Sequence, residues 1–183
     1  MRAFIAVDFD KETKGRIADI QRHFRPYALK GRWTYIDNLH LTLKFLGEIE
    51  EHQQELIASA LEKASRDFSP FILETGKPEY SGAENISTFR LGISGDITRL
   101  NQLHDKLEQE LEDIGVPKDT RTFRPHITIG RDVVIQKWEE VKTKLPLSTF
   151  KIPVTRISFM KSEVIDRKRI YTPLKYCDFK LYT

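Results

Sequence analysis

His40-Leu41-Thr42-Leu43 and His126-Ile127-Thr128-Ile129 are two copies of one pattern, His-x-Thr-x with an aliphatic residue at each x. Each copy lies in a β-prone run. The first runs from Leu39 to Leu46 and is closed by Gly47; the second runs from His126 to Arg131 and follows Pro125. Successive side chains of a strand point to opposite faces, so residues i and i+2 share one. His40 and Thr42 therefore share a face, with Leu41 and Leu43 on the other. His126 and Thr128 stand in the same relation to Ile127 and Ile129. Each strand offers a polar pair to a ligand and an apolar pair to a core.

The surroundings of the two copies are alike. Phe4 to Phe9 reads as a strand, and Asp10 as the cap of a helix whose Ile17, Ile20 and Phe24 keep helical spacing up to Pro26. Lys30-Gly31 is expected to turn the chain into a strand over Trp33 to Ile36, with Asp37-Asn38 as a second turn. After the first motif, Glu51 to Phe68 has a helical apolar stripe of Ile57, Leu61, Ala64 and Phe68. Strands are expected over Phe71 to Tyr80 and Thr88 to Ser94, around a loop marked by Gly82, Ala83 and Asn85. Asp96 caps a third helix, stopped by Gly115 and Pro117. A short helix follows the second motif, with Ile135, Trp138, Val141 and Leu145 on one face and Pro146 at its end. Val154 to Met160 and Arg169 to Tyr176 close the chain as a hairpin around a turn at Glu163 to Arg167.

The motifs lie nearly half of the 183 residues apart, and each follows a helix and precedes another. This predicts an internal duplication: an α+β chain forming one domain over 1–183, built of two pseudo-symmetric lobes. The expected bilobal arrangement has two antiparallel sheets facing a central cleft, with helices outside. The aliphatic residues pack under the helices, and the His and Thr residues face the cleft.

Composition excludes several classes. No apolar run approaches the ~20 residues of a membrane span, and the apolar N-terminus lacks a signal-peptide cleavage pattern. Cys177 is the only cysteine, so no internal disulfide can form, which fits a reducing cytoplasm. A formal net charge of +3 permits an anionic ligand without describing a protein that coats nucleic acid. A cytoplasmic monomer is expected.

Histidine titrates near neutrality. Two histidines across a cleft can divide acid–base work: the neutral one takes a proton from water, the charged one gives a proton to a leaving oxygen. Threonine hydroxyls two residues on can hydrogen-bond the non-bridging oxygens of an anion between them. Such a site needs no metal or other cofactor and suits in-line attack on a strained phosphodiester. The two histidines could instead be metal ligands, but no acid or cysteine stands at ligand spacing beside either motif. There is no G-x-S-x-G and no phosphate-cradling glycine loop.

Asn38 to Gly47 together with Phe123 to Arg131 resembles the paired signature of the two-histidine (2H) phosphoesterase superfamily, in its LigT/ThpR-like branch. These are RNA 2′,3′-cyclic phosphodiesterases once described as 2′-5′ RNA ligases. Arg2 to Val7, Arg32-Trp33, Tyr171 and Leu174 also fit that branch, so the resemblance spans nearly the whole chain. It implies hydrolysis of RNA 2′,3′-cyclic phosphate ends, or of small nucleotides carrying that group, to a 2′-phosphate. By the same resemblance His40 is the proton donor and His126 the acceptor, with Thr42 and Thr128 holding the phosphate; the near-symmetric motifs themselves leave the direction open. The alternatives are 2′-5′ ligation, another small cyclic phosphodiester as substrate, or a nucleotide- or RNA-binding module without turnover.

Four more residues are candidates for substrate binding. Arg131 and Phe45 each lie five after a motif histidine. That odd offset points them away from the cleft unless a bulge at Gly130 turns Arg131 back toward the anion. Phe45 is read as core, with a nucleotide-pocket wall as the alternative. Arg124 is read as a solvated arginine, with steering of RNA at the rim as the alternative. Tyr171 has two readings, a cleft residue that stacks on a base and a packed sheet tyrosine. The basic run from Lys161 to Arg169 is read as a solvated hairpin. His23, His52 and His104 lack a threonine partner and are read as non-functional.

Overall fold

The computed structural model describes residues 1–81, 88–144 and 149–180. The loop expected at Gly82, Ala83 and Asn85, and the helix end at Leu145 and Pro146, lie outside them. The strands are β1 (Arg2–Asp8), β2 (Ala28–Trp33), β3 (His40–Glu48), β4 (Phe71–Ser81), β5 (Thr88–Gly95), β6 (His126–Ile135), β7 (Lys151–Val154), β8 (Arg156–Ile165) and β9 (Lys168–Asp178). The helices are α1 (Lys11–Phe24), α2 (Gln53–Ser65), α3 (Ile97–Glu112) and α4 (Trp138–Lys144). Two expected caps are made: Asp10 accepts from Thr13 N–H at 2.7 Å and Asp96 from Arg99 N–H at 3.1 Å.

The strands form one antiparallel sheet in the order β7-β4-β5-β6-β3-β1-β8-β9, with β2 added beside β6. The two motif strands are central neighbours. Each is flanked by the strand before its preceding helix, β1 beside β3 and β5 beside β6. The outer strands are exchanged: β4, which follows α2, joins β5, whereas β8 crosses back to β1. The two antiparallel halves meet at Leu41 opposite Ile127, so they are joined into a continuous curled sheet. The curl brings Phe179, just past β9, onto Phe71 of β4, with ring centroids 6.1 Å apart.

The main core lies between one sheet face and the helices. Leu41, Leu43, Ile127 and Ile129 are all buried in it, as the strand alternation requires. The opposite face carries a second, small apolar cluster of Phe4, Ala6 and Met160, with Tyr171 packed against it. This is the face of the motif histidines.

Both motif strands carry a bulge just past the threonine. Ala6 pairs with Thr42 and Ile5 with Lys44, leaving Leu43 extra. Arg90 pairs with Thr128 and Phe89 with Gly130, leaving Ile129 extra. The extra residue resets the alternation, so each burial pattern has two successive buried residues followed by an exposed one, Phe45 or Arg131. A bulge frees backbone groups that must find other partners. The Ile129 carbonyl accepts from Gln21 Nε2 at 2.8 Å and from Thr34 N–H at 3.1 Å. Gln21 is buried on α1 for this reason.

Three expectations about elements are corrected. Ile135, expected on the short helix, ends β6 instead, and the helix starts at Trp138. β2 lies earlier than Trp33 to Ile36, and the supposed Lys30-Gly31 turn is inside it. Gly31 serves close approach: a Cβ there would sit 2.9 Å from Val133 Cα on β6. Val154 ends a short edge strand, β7, rather than starting the hairpin, and only Thr155 separates it from β8. The hairpin turn is tight, with Asp166 and Arg167 both at positive φ. Among the described residues, no helix is long and apolar enough to cross a membrane.

Candidate active site

Each motif histidine opens its strand and is held by the backbone two residues before it. His40 Nδ1–H donates to the Asn38 carbonyl at 2.7 Å, and His126 Nδ1–H to the Arg124 carbonyl at 2.8 Å. Tying Nδ1–H to a carbonyl fixes the tautomer and leaves a lone pair on Nε2 of the neutral ring. Thr42 Oγ1 lies 2.9 Å from His40 Nε2 and donates to it.

With Leu41 opposite Ile127, the antiparallel register carried one residue either way sets His40 across from Thr128 and Thr42 across from His126. The two histidines then lie on one diagonal, roughly 7–8 Å apart along the backbone and closer between Cβ atoms, and the two threonines on the other. Each histidine faces the threonine of the other motif.

The walls differ in chemistry. On the His40 side the Phe4 ring lies 4.8 Å from the imidazole and the Tyr171 ring 5.2 Å away, edge-on. Phe45 is 63% exposed, its ring 6.4 Å from Phe4. The reading of Phe45 as core is therefore corrected: the Leu43 bulge turns it onto the cleft face with Phe4, His40 and Tyr171. The Ile129 bulge does the same for Arg131, which is exposed and acts electrostatically on His40. Arg124 offers its carbonyl to His126, while its side chain is exposed. The site thus has an aromatic wall from β1, β3 and β9 and a cationic edge from β6.

Burial pushes the His40 imidazole down to about 4; the Asn38 carbonyl and the Asp8 charge oppose this, and Lys14 and Arg131 add to it. His40 is consequently neutral at neutral pH when the cleft holds no anion. Among the described residues no three His, Cys, Asp or Glu side chains converge as a metal site.

Sequence reasoning misses two participants. Phe4 is legible only as a buried strand residue, although alternation against Ala3 and Ile5 puts it on the histidine face. Asn38 reads as a turn signal. It is buried, its carbonyl sets the His40 tautomer, and its Nδ2 donates to the Arg169 carbonyl at 2.7 Å. That bond fastens the β8–β9 hairpin, and with it Tyr171, beside the first motif. In the basic run of this hairpin Lys161 pairs with Glu163, and Arg169 donates to Ser162 Oγ.

The profile of the 2′-5′ RNA ligase superfamily matches residues 9–166. The chain belongs to this superfamily. One relative, the RNA 2′,3′-cyclic phosphodiesterase of Thermotoga maritima, is 31% identical over 182 residues, covering 98% of this chain and 96% of the relative. The crystal structure of TT0787 of Thermus thermophilus superposes with a TM-score of 0.80 at 21% identity over 98% of each chain, a likeness of fold. E. coli LigT complexed with 3′-AMP gives a TM-score of 0.71 at 27% identity, again over 98% of each chain.

Proposed function

We propose that this superfamily member hydrolyses RNA 2′,3′-cyclic phosphate termini to 2′-phosphates by metal-independent two-histidine catalysis. The observation that carries the reading is the matched pair of imidazoles on neighbouring central strands, each anchored through Nδ1 to the carbonyl two residues before it. Support comes from the relative named as a cyclic phosphodiesterase and from the LigT complex with 3′-AMP.

In this reading Thr128 hydrogen-bonds a non-bridging oxygen, Thr42 does so once His40 Nε2 is protonated and no longer accepts its hydroxyl, and Arg131 adds positive charge. Water attacks phosphorus while His126 Nε2 takes its proton. The P–O3′ bond breaks, and His40 Nε2–H gives its proton to O3′, leaving a 2′-phosphate. The base of the terminal nucleotide lies against Phe45 and Tyr171.

His40 must be charged to act as donor, yet burial keeps it neutral in the free protein. The substrate supplies the missing term. One negative charge at 4 Å stabilises the imidazolium by about 4 kcal/mol at an effective dielectric of ~20, which returns the ring to its ordinary range near neutrality. The donor is thus armed by the anion it acts on.

We also read residues 1–183 as one domain of two pseudo-symmetric lobes, working as a cytoplasmic monomer. The exchange of β4 and β8 between the halves supports the single domain, since neither half can complete its sheet alone.

The test is incubation with an oligoribonucleotide ending in a 2′,3′-cyclic phosphate, in EDTA, with the product phosphate located. Turnover to a 2′-phosphate is expected. A 3′-phosphate product, or activity lost in EDTA and restored by a divalent ion, would sink the reading.

A further inference from the structure

The cleft face of the second half-sheet carries an arginine that no motif includes. On β5, Phe89 and Leu91 are buried in the main core, so Arg90 between them points to the opposite, histidine-bearing face. Its partner on β6 is Thr128, and its partner on β4 is Glu79. Arg90 Nε donates to Glu79 Oε2 at 3.0 Å, and the side chain is 26% exposed. This single bond orients the guanidinium fork and leaves both Nη groups without a protein partner among the described residues. The corresponding position of the other half is Ala6, opposite Thr42. The arginine is therefore an asymmetric addition to a symmetric frame.

The placement decides which anion Arg90 can take. β4 lies on the side of β5 away from β6, and Glu79 draws the guanidinium that way. The fork consequently sits one to two strand spacings, ~5–10 Å, from the Thr128 row. That is too far to replace Thr128 on the reacting phosphate, and it is the reach of a neighbouring phosphate one nucleotide along. The Glu79 carboxylate does not close the site. Its Oε2 is held on Nε, and its Oε1 lies over Gly92, where an added Cβ would meet it at 3.2 Å. The Nη edge of the fork, which suits bidentate phosphate contact, stays open.

We propose that Arg90, oriented by Glu79, forms a second phosphate subsite that binds the internucleotide phosphodiester on the 5′ side of the terminal nucleotide. The subsite lets the enzyme tell the end of an RNA chain from a free nucleoside cyclic phosphate, which lacks that group. The proposal rests on the hydrolytic reading above.

Two substrates separate the possibilities: a nucleoside 2′,3′-cyclic monophosphate, and a dinucleotide whose 3′ residue carries the same cyclic phosphate. Turnover of either by the native protein tests the hydrolytic reading independently of Arg90. Arg90→Ala is expected to lower the dinucleotide-to-mononucleotide ratio of kcat/KM about 10-fold, mainly through KM. It should also weaken the salt dependence of dinucleotide KM by ~0.7 in log–log slope, as one phosphate contact is lost. Arg90→Gln, which keeps a hydrogen bond to Glu79, is measured beside it, so that a folding defect in one variant does not decide the outcome. An unchanged ratio in a folded variant overturns the proposal, whether both substrates suffer equally, as for a residue on the reacting phosphate, or neither does.

Discussion

Alanine at either His40 or His126 is expected to lower kcat for cyclic-phosphate hydrolysis by on the order of 10²-fold or more, because each removes one of two concerted proton transfers. The double variant should be little worse than the poorer single one, since residues that act as a unit are not additive. His40 also packs on Phe4 and Tyr171, so His40→Gln is the companion that keeps bulk and removes the titrating ring. The pH profile tells donor from acceptor. Burial lowers the His40 value to about 4 in the free protein, and a donor works only while protonated. The His40-linked alkaline limb should therefore fall at lower pH in kcat/KM, which reports free enzyme, than in kcat, which reports the complex where the phosphate charge has raised it. If His40 is instead the acceptor, activity rises with pH through about 4 in kcat/KM and His40 contributes no alkaline limb. Near-full activity in a folded single variant of either histidine would end the two-histidine mechanism.

Much of this site is legible because it depends on strand alternation. Period two alone puts His40 with Thr42 and His126 with Thr128, and the repeat makes one site of two weak motifs. The duplication also anticipates two antiparallel halves. What alternation cannot show is where it breaks. The bulges at Leu43 and Ile129 are set by pairing with β1 and β5 and by distant groups such as Gln21. For that reason Phe45 reads as core in the sequence, and Arg131 stands between two readings. The exchange of β4 and β8 is likewise hidden, because it concerns which neighbour a strand chooses rather than whether it is a strand. Arg90 is within reach of sequence reasoning: Phe89-Arg90-Leu91 alternates as cleanly as the motifs do. No repeat draws attention to it, so it passes as one more surface charge.

Lys44 shows how the same bulge serves stability as well as the site. In an unbroken strand Lys44 would follow His40 and Thr42 onto the cleft face. The extra Leu43 turns it under α3 instead, where its side chain is 2% exposed. There Nζ lies 2.8 Å from Glu108 Oε1, donates to Glu108 Oε2 and to the Pro117 carbonyl at 2.9 Å each, and approaches Asp119 Oδ1 at 3.4 Å. Asp119 N–H donates to Glu108 Oε2 at 3.0 Å. Lys44→Met keeps the stem and removes the charge, leaving the Glu108 carboxylate buried without its cation. The expected loss is about 3–5 kcal/mol of unfolding free energy, read by urea titration. Adding Glu108→Leu should recover most of it, because the penalty comes from the orphaned charge rather than from loss of a net attractive pair. The cluster also bears on catalysis. Lys44 directly follows the first motif, and the segment it grips, Pro117 to Asp119, leads into Arg124, whose carbonyl holds His126. Phe123, just before Arg124, stacks on His104 of α3 with centroids 4.0 Å apart. The double variant, though stable, should therefore keep a lower kcat than the native protein, since the anchored loop that aims His126 has lost its polar tie. A Lys44→Met protein within about 1 kcal/mol of native stability would show that water reaches Glu108, and that the loop is held by its apolar contacts alone.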